Sequence, residues 1–346
     1  MYNKLKFIVK KLEHYLLNTL LIWLAVLLYT KAPYYKSFLT QETIKTIFIL
    51  AYSYTIIGLI YYIIIPSEKI NPSKGHIIFR SLKRVSKDTW HYIKNFNSPY
   101  RKSPKMEHHE KTAILFLLVK IFFLPLMLNF FYDNFSYVKN NLSIFKNPLS
   151  LLSVDAFNNI LFPVIVGIVF LIDTSWFCFG YTFEAGFLKN KVRSVEPTIF
   201  GWAVAIICYP PFNGIFTKYV DWYANDNIEF FTMNLTFIVR IILVFLLIVY
   251  LSATLALGTK CSNLTNRGIV TRGPYAIIRH PAYISKNLFW WVTILPVISW
   301  PAAISASAWS LIYYFRAVTE EKHLLKDPEY VAYYKKVKYR FIPFIV

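Results

Sequence analysis

Windows of about 20 residues carrying at most one charge recur along the chain, and that is the length a helix needs to cross the hydrocarbon of a bilayer. They fall at 15–32, 44–65, 112–131, 159–180, 199–216 and 230–257. A further apolar region, 288–316, is interrupted at its middle by Pro296 and Pro301. Two prolines in that span suit a tight helical hairpin better than one straight helix. The expected fold is all-α and polytopic: about six transmembrane helices plus a C-terminal helical hairpin, about eight membrane segments in all. With 56% hydrophobic and 16% charged residues, a soluble domain could not hide the apolar surface, and 19% aromatic residues argue against disorder. The first window lacks a small-residue cleavage site and further spans follow it, so it reads as a span rather than a removable signal.

A formal net charge of +20 invites a nucleic-acid reading, but the cations sit in particular loops between apolar spans. Segment 66–111 holds eleven: Lys69, Lys74, Arg80, Lys83, Arg84, Lys87, Lys94, Arg101, Lys102, Lys105 and Lys111. Loops 181–198 and 258–287 are also basic. By contrast, 132–158 has only Lys139 and Lys146, and 217–229 has only Lys218 against Asp221, Asp226 and Glu229. Rich and poor loops alternate, as positive-inside topology requires, which puts both termini in the cytoplasm. The expected partners are therefore membrane lipids, with no nucleic acid. Within 66–111, "FRSLKRV" reads either as an amphipathic helix on anionic headgroups or as a solvated loop. Cys178, Cys208 and Cys261 give neither a disulfide framework nor metal-site spacing, and no metal is expected.

The chemistry-bearing residues gather in the last third. "RGPYAIIRHPAYISK", 272–286, places three cations, a histidine and two prolines at the edge of an apolar region. Past the hairpin come Arg316, Glu320, Glu321, Tyr330 and Tyr333, then the ending "VKYRFIPFIV". Arg316 and Glu320 are four apart, on one face of a continuing helix. Ion pairing alone would explain them, as a helix start would explain His280 before Pro281. Upstream, "SVEPTIFGWAVAIICYPPFNG", 194–214, ends in prolines that break a span. Asp173 lies within an otherwise apolar window and Glu184 just past it. A buried carboxylate there is either functional or part of a structural bond, for instance with Arg240.

In order, "GPYAIIRHPAYIS", "RAVTEEKHLL" and "EYVAYYKKVKYRFIP" resemble membrane methyltransferases of the isoprenylcysteine carboxyl methyltransferase and phospholipid N-methyltransferase type. The resemblance spans roughly residues 255–346. It implies a division into a scaffold and acceptor-pocket region, 1–254, and an S-adenosylmethionine-binding region, 255–346. It further implies Tyr275, Arg279, His280, Pro281, Tyr283, Glu321 and Tyr333 near that cofactor, and Arg316 and Glu320 at the reacting centre. The upstream run resembles long bacterial members of the same group, which implies Asp173, Glu184, Glu196, Tyr209 and Asn213 in an acceptor pocket. Ser285 departs from the family's usual glycine, and "KDPEY" replaces its Phe-Gly turn.

Methyl transfer from a sulfonium is an in-line displacement governed by positioning. His280 and Arg279 would take the cofactor's carboxylate, Glu321 its amine or ribose, and the tyrosines its adenine. Arg316 would hold an acceptor oxygen, while Glu320 would fix that arginine or accept a proton. A sterol-type membrane reductase using NADPH shares much of this C-terminal pattern, but would more typically have Asn where Ala282 stands. A transporter would show matched repeats, and none is present. The expected acceptor is lipophilic, methylated on a carboxylate, amine or hydroxyl. Ile-, Lys-, Asn- and Tyr-rich usage points to a bacterial cytoplasmic (inner) membrane.

Overall fold

The apolar windows become long helices. The computed structural model describes residues 2–66, 70, 72–95, 103–146 and 153–345. Lys69, Arg101 and Lys102 of the basic segment lie outside the described residues, as does the side chain of Lys146. Five helical stretches are long and apolar enough to cross a membrane: Ile8–Lys31, Gln41–Ile64, His108–Phe145, Val154–Thr182 and Met233–Lys260.

Contacts divide the chain into two compact units, Met1–Pro125 and Leu126–Val346. The first holds α1 (Tyr2–Lys31), α2 (Pro33–Phe38), α3 (Gln41–Ile64), α4 (Lys74–Lys94) and the beginning of α5 (His108–Asn141). Ser73 caps α4 by accepting from the His76 amide, as short hydroxyl side chains do at helix starts. Segment 74–94 is thus helical, with Phe79, Leu82, Trp90 and Ile93 exposed among its cations. The amphipathic-helix reading of "FRSLKRV" is the one the backbone adopts.

The second unit carries the site. It contains α6 (Val154–Ala156), α7 (Phe162–Thr182), α8 (Ile199–Ile206), α9 (Phe212–Phe216) and α10 (Met233–Leu257). After these come α11 (Pro281–Thr293), α12 (Trp300–Leu324) and α13 (Pro328–Lys336). Phe162 and Val169 of α7, Leu243 and Leu247 of α10 and Phe289 of α11 form one buried cluster. A two-residue antiparallel ladder joins β1 (Ser194–Val195) to β2 (Thr265–Asn266), fixing the two basic loops against each other. Helices α11 and α12, with the turn Leu295–Val297 between them, form the expected hairpin, and Ser299 caps α12.

Two expectations change. Segment 199–216, counted among the six expected spans, is two short helices, α8 and α9, with Pro210 and Pro211 between them. Consecutive prolines supply no amide donors, so the helical ladder ends there. Nor does Arg240 pair with Asp173. Its guanidinium donates to the backbone carbonyls of Asn158, Asn227 and Ile228 and lies over the Phe162 ring. A π turn at Phe157–Leu161 precedes α7, and Asn158 belongs to it.

Among the glycines of the second unit the backbone approach is tightest at Gly180 on α7, where an added Cβ would stand 2.0 Å from the Cys261 carbonyl oxygen. That backbone contact holds the 258–263 turn onto α7. Gly180→Ala is expected to destabilise the protein by about 3 kcal/mol, at the upper end of overpacking effects. Gly214→Ala, with nothing within 4 Å of the new methyl group, should be neutral or stabilising by at most about 1 kcal/mol. Thermal unfolding of the two variants in detergent checks both.

Candidate active site

Where α5, α7, α10, α11 and α12 converge, the second unit encloses a cavity of about 360 Å³. A smaller chamber of about 110 Å³ lies between the 260–270 loop, the end of α12 and α13. Tyr275, Arg279, His280 and Glu320 line both. With Leu257 and Ser262, which also line both, these residues form a shared wall between the larger cavity and a chamber that also carries Lys260, Arg267, Tyr330 and Tyr333.

The wall is fixed from behind by Glu321. Its Oε1 accepts from Arg279 Nε at 2.7 Å and lies 3.1 Å from His280 Nε2. Its Oε2 accepts from Arg340 Nη2 at 2.7 Å and Nε at 3.1 Å. Arg279 also donates to the carbonyls of Val337 and Lys338 and lies over the Tyr334 ring at 4.3 Å. The amides of Arg279 and His280 donate to the carbonyls of Tyr339 and Arg340, so the C-terminal tail is stitched to the start of α11. Glu321 is 2% exposed. Burial alone would raise its pKa, but hydrogen bonds from His280, Arg340 and Arg279 win and hold it at about 2, below the usual 4.5.

Glu320 has the opposite surroundings. Its side chain is 43% exposed and faces both spaces, accepting from the Tyr283 phenol at 2.8 Å. Arg316 Nη2 donates to Asn263 Oδ1 at 2.5 Å, and the guanidinium lies 5.2–5.8 Å from the ring centroids of Tyr209, Tyr283 and Tyr313. Arg316 and Glu320 thus share one cavity wall, as their spacing predicts. They form no ion pair with each other, because Asn263 and the three rings hold the arginine while Tyr283 takes the carboxylate.

This hairpin region has a recognisable sequence relation. Residues 229–327 match the family model of the phospholipid methyltransferases. No curated protein and no solved structure matches the chain. The matched stretch runs from just before α10 to the residue preceding α13. Together with the five helices long and apolar enough to cross a membrane, the match makes this stretch similar to the membrane-bound phospholipid methyltransferases.

The second unit brings together most of the residues expected at the site. Tyr275, Arg279, His280, Tyr283, Arg316 and Glu320 line the larger cavity, and Tyr333 lines the smaller chamber, donating to the Tyr275 carbonyl at 2.8 Å. Pro281 is the first residue of α11 and lines neither space, and Glu321 stands behind the wall. Of the acceptor-pocket residues, Asp173 and Tyr209 line the cavity. Asp173 accepts from Thr254 Oγ1 at 2.6 Å and from the Tyr250 phenol at 2.9 Å. Glu184, Glu196 and Asn213 do not line either space. Glu184 accepts from the Val192 amide, Glu196 from the Thr198 amide ahead of α8, and Asn213 from the Gly214 amide.

Ser285 and the "KDPEY" run have local explanations. The Ser285 hydroxyl bonds back to the Pro281 carbonyl at 2.8 Å, so a buried serine is satisfied within its own helix. Asp327 caps α13 through the Glu329 amide and accepts from Asn266 and Arg193. Two further polar residues of the cavity were given no role in the sequence reading. Asn263 holds Arg316 and reaches Tyr181 and Tyr209, and Lys286 follows directly after Ser285. Lys286 was counted only as one of the three cations of the 272–286 stretch.

Removing the Glu321 charge leaves two guanidinium groups, Arg279 and Arg340, and the His280 ring without their common partner. Glu321→Gln is expected to destabilise the protein by about 3–5 kcal/mol, as breaking one side of a buried ion cluster does. Because the folded pKa is depressed from 4.5 to about 2, the wild-type carboxylate stabilises above pH 4.5 and loses that effect as pH falls toward 2. Unfolding midpoints measured across pH 2–7 should show this acid-side loss in the wild type and not in Glu321→Gln.

Proposed function

We propose that this protein is an S-adenosylmethionine-dependent integral membrane methyltransferase acting on a lipophilic acceptor that reaches it from the bilayer. The observation that carries this reading is the shared wall, Tyr275, Arg279, His280 and Glu320, between two spaces inside the region that matches the family. The smaller chamber would hold the cofactor and the larger cavity the acceptor. On this reading residues 255–346 bind the cofactor and 1–254 supply scaffold and acceptor pocket. The distribution of cations supports both termini and the site at the cytoplasmic face.

The residues of the smaller chamber suit the cofactor. S-adenosylmethionine combines a carboxylate, an amine, an adenosine and a cationic sulfur. Lys260, Arg267 and His280 offer cations and donors for the carboxylate, and Tyr275, Tyr330 and Tyr333 offer ring faces for the adenine. Glu320 offers a carboxylate at the boundary. Glu321 is saturated by Arg279, His280 and Arg340, so it would position these groups rather than touch the cofactor. Bound there, S-adenosylmethionine supplies an electrophilic methyl group on a sulfonium.

This chain's own residues then do the positioning. Arg316 directs a guanidinium, steadied by Asn263, at an acceptor oxygen. Glu320 balances positive charge at the wall and, for an amine acceptor, takes the proton released. The rings of Tyr209, Tyr283 and Tyr313 enclose the arginine and keep water away from the acceptor atom.

Isothermal titration of the detergent-purified protein should show binding of S-adenosylmethionine and none of NADPH. Arg316→Ala should keep cofactor binding and lose about 100-fold or more in transfer of labelled methyl groups into a membrane lipid extract. Binding of NADPH without S-adenosylmethionine, or full transfer by Arg316→Ala, would overturn the reading.

A further inference from the structure

Helix α4 belongs to the first unit, lies outside residues 229–327 and contributes no residue to either cavity. Its first turns are held against α1. The Gly75 amide donates to Asn18 Oδ1 at 2.8 Å, and the His76 ring stacks on His14 with centroids 4.0 Å apart. Gly75, His76, Ile78 and Ser81 are buried. Asn18 lies within the apolar stretch Ile8–Lys31, so α4 starts alongside a membrane-length helix.

A different side of α4 is open and apolar. Phe79, Leu82, Trp90 and Ile93 are 50–67% exposed. At about 100° per residue these four, with the exposed Ser86 among them, fall within about 80° of arc and make one stripe along the helix. Arg80, Lys83, Lys87 and Lys94, all exposed, form a second stripe directly beside it. The neighbouring acids are engaged elsewhere. Asp88, the one acid of α4, and Glu110 pair with Arg84 at 3.2 and 2.5 Å. Glu13 lies 3.4 Å from His76, and Glu107 lies 3.3 Å from His109. Among the described residues, none of the four cations of the second stripe forms a salt bridge.

A tryptophan-bearing apolar stripe flanked by lysines matches the boundary between lipid headgroups and acyl chains, where rings enter and ammonium groups reach out. A neutral apolar groove on another protein would cover the first stripe and leave the second without a partner. We propose that α4 docks on the anionic headgroup surface of the bilayer. Phe79, Leu82, Trp90 and Ile93 enter the headgroup boundary, and Arg80, Lys83, Lys87 and Lys94 take the lipid phosphates. The lipids act here as a charged surface and not as methyl acceptors, so the proposal stands apart from the functional reading above.

Ser86, at the middle of the stripe, is the position to probe. The test is spin-label accessibility of full-length Ser86→Cys in lipid nanodiscs, with the equally treated unsubstituted protein as background for the native cysteines. In discs of equal parts phosphatidylcholine and phosphatidylglycerol, the label should be open to oxygen and shielded from a water-soluble nickel chelate. In phosphatidylcholine alone it should be open to the chelate. Replacing Lys83, Lys87 and Lys94 together by Gln should weaken the surface-bound state about 100-fold in the mixed discs. These three positions are exposed, so the unfolding midpoint should not move. A label open to the chelate in the mixed discs would overturn the proposal. So would equal shielding in both kinds of disc, or shielding that survives the triple substitution. Shielding that persists in lipid-free detergent and grows with protein concentration would assign the stripe to a second copy of the chain and overturn it as well.

Discussion

Glu321 is the point on which the site depends. A single buried carboxylate gathers Arg279 and His280 from the start of α11 and Arg340 from the tail, and these three carry the wall between the cavities. Without it, the Arg279 and Arg340 guanidinium groups would be left without a counter-charge in a place largely shut off from water, where repulsion is strong. The tail carbonyls of Val337, Lys338, Tyr339 and Arg340 complete the arrangement by accepting from Arg279 and His280. Closure of the C-terminus and formation of the wall are therefore one event.

Neighbouring acids on α12 divide the work. Successive helix residues point about 100° apart, so Glu321 turns into the cation cluster while Glu320 turns toward the cavities. The first is saturated and acts as a structural ion; the second has a phenol for a partner and keeps its charge available. Arg316, one turn earlier, is steadied by a neutral amide rather than a carboxylate. An arginine held in this way keeps its charge for a ligand.

Much of the fold was legible in the chain because bilayer length and proline chemistry act locally. The apolar windows and the Pro296–Pro301 interruption are visible in one dimension, and they became the long helices and the hairpin. Pro210 and Pro211 carried the same kind of signal, and the span they interrupt is two short helices. Partner choice was not legible. The spacing of Arg316 and Glu320 places them on one face, but it says nothing of Asn263, brought in from a loop 53 residues away in sequence, or of Tyr283 on the facing helix. The resemblance implied Glu184 and Glu196 in the acceptor pocket; neither lines the cavity, and each accepts from a nearby backbone amide.

The central claim is that one wall separates a cofactor chamber from an acceptor cavity within residues 126–346. A structure determined in lipid nanodiscs with S-adenosylhomocysteine, the demethylated cofactor product, tests it most directly. The ligand should lie in the smaller chamber against Tyr275, Tyr330 and Tyr333, with its sulfur toward Glu320. Density for it outside that chamber, or none at saturating concentration, would contradict the account.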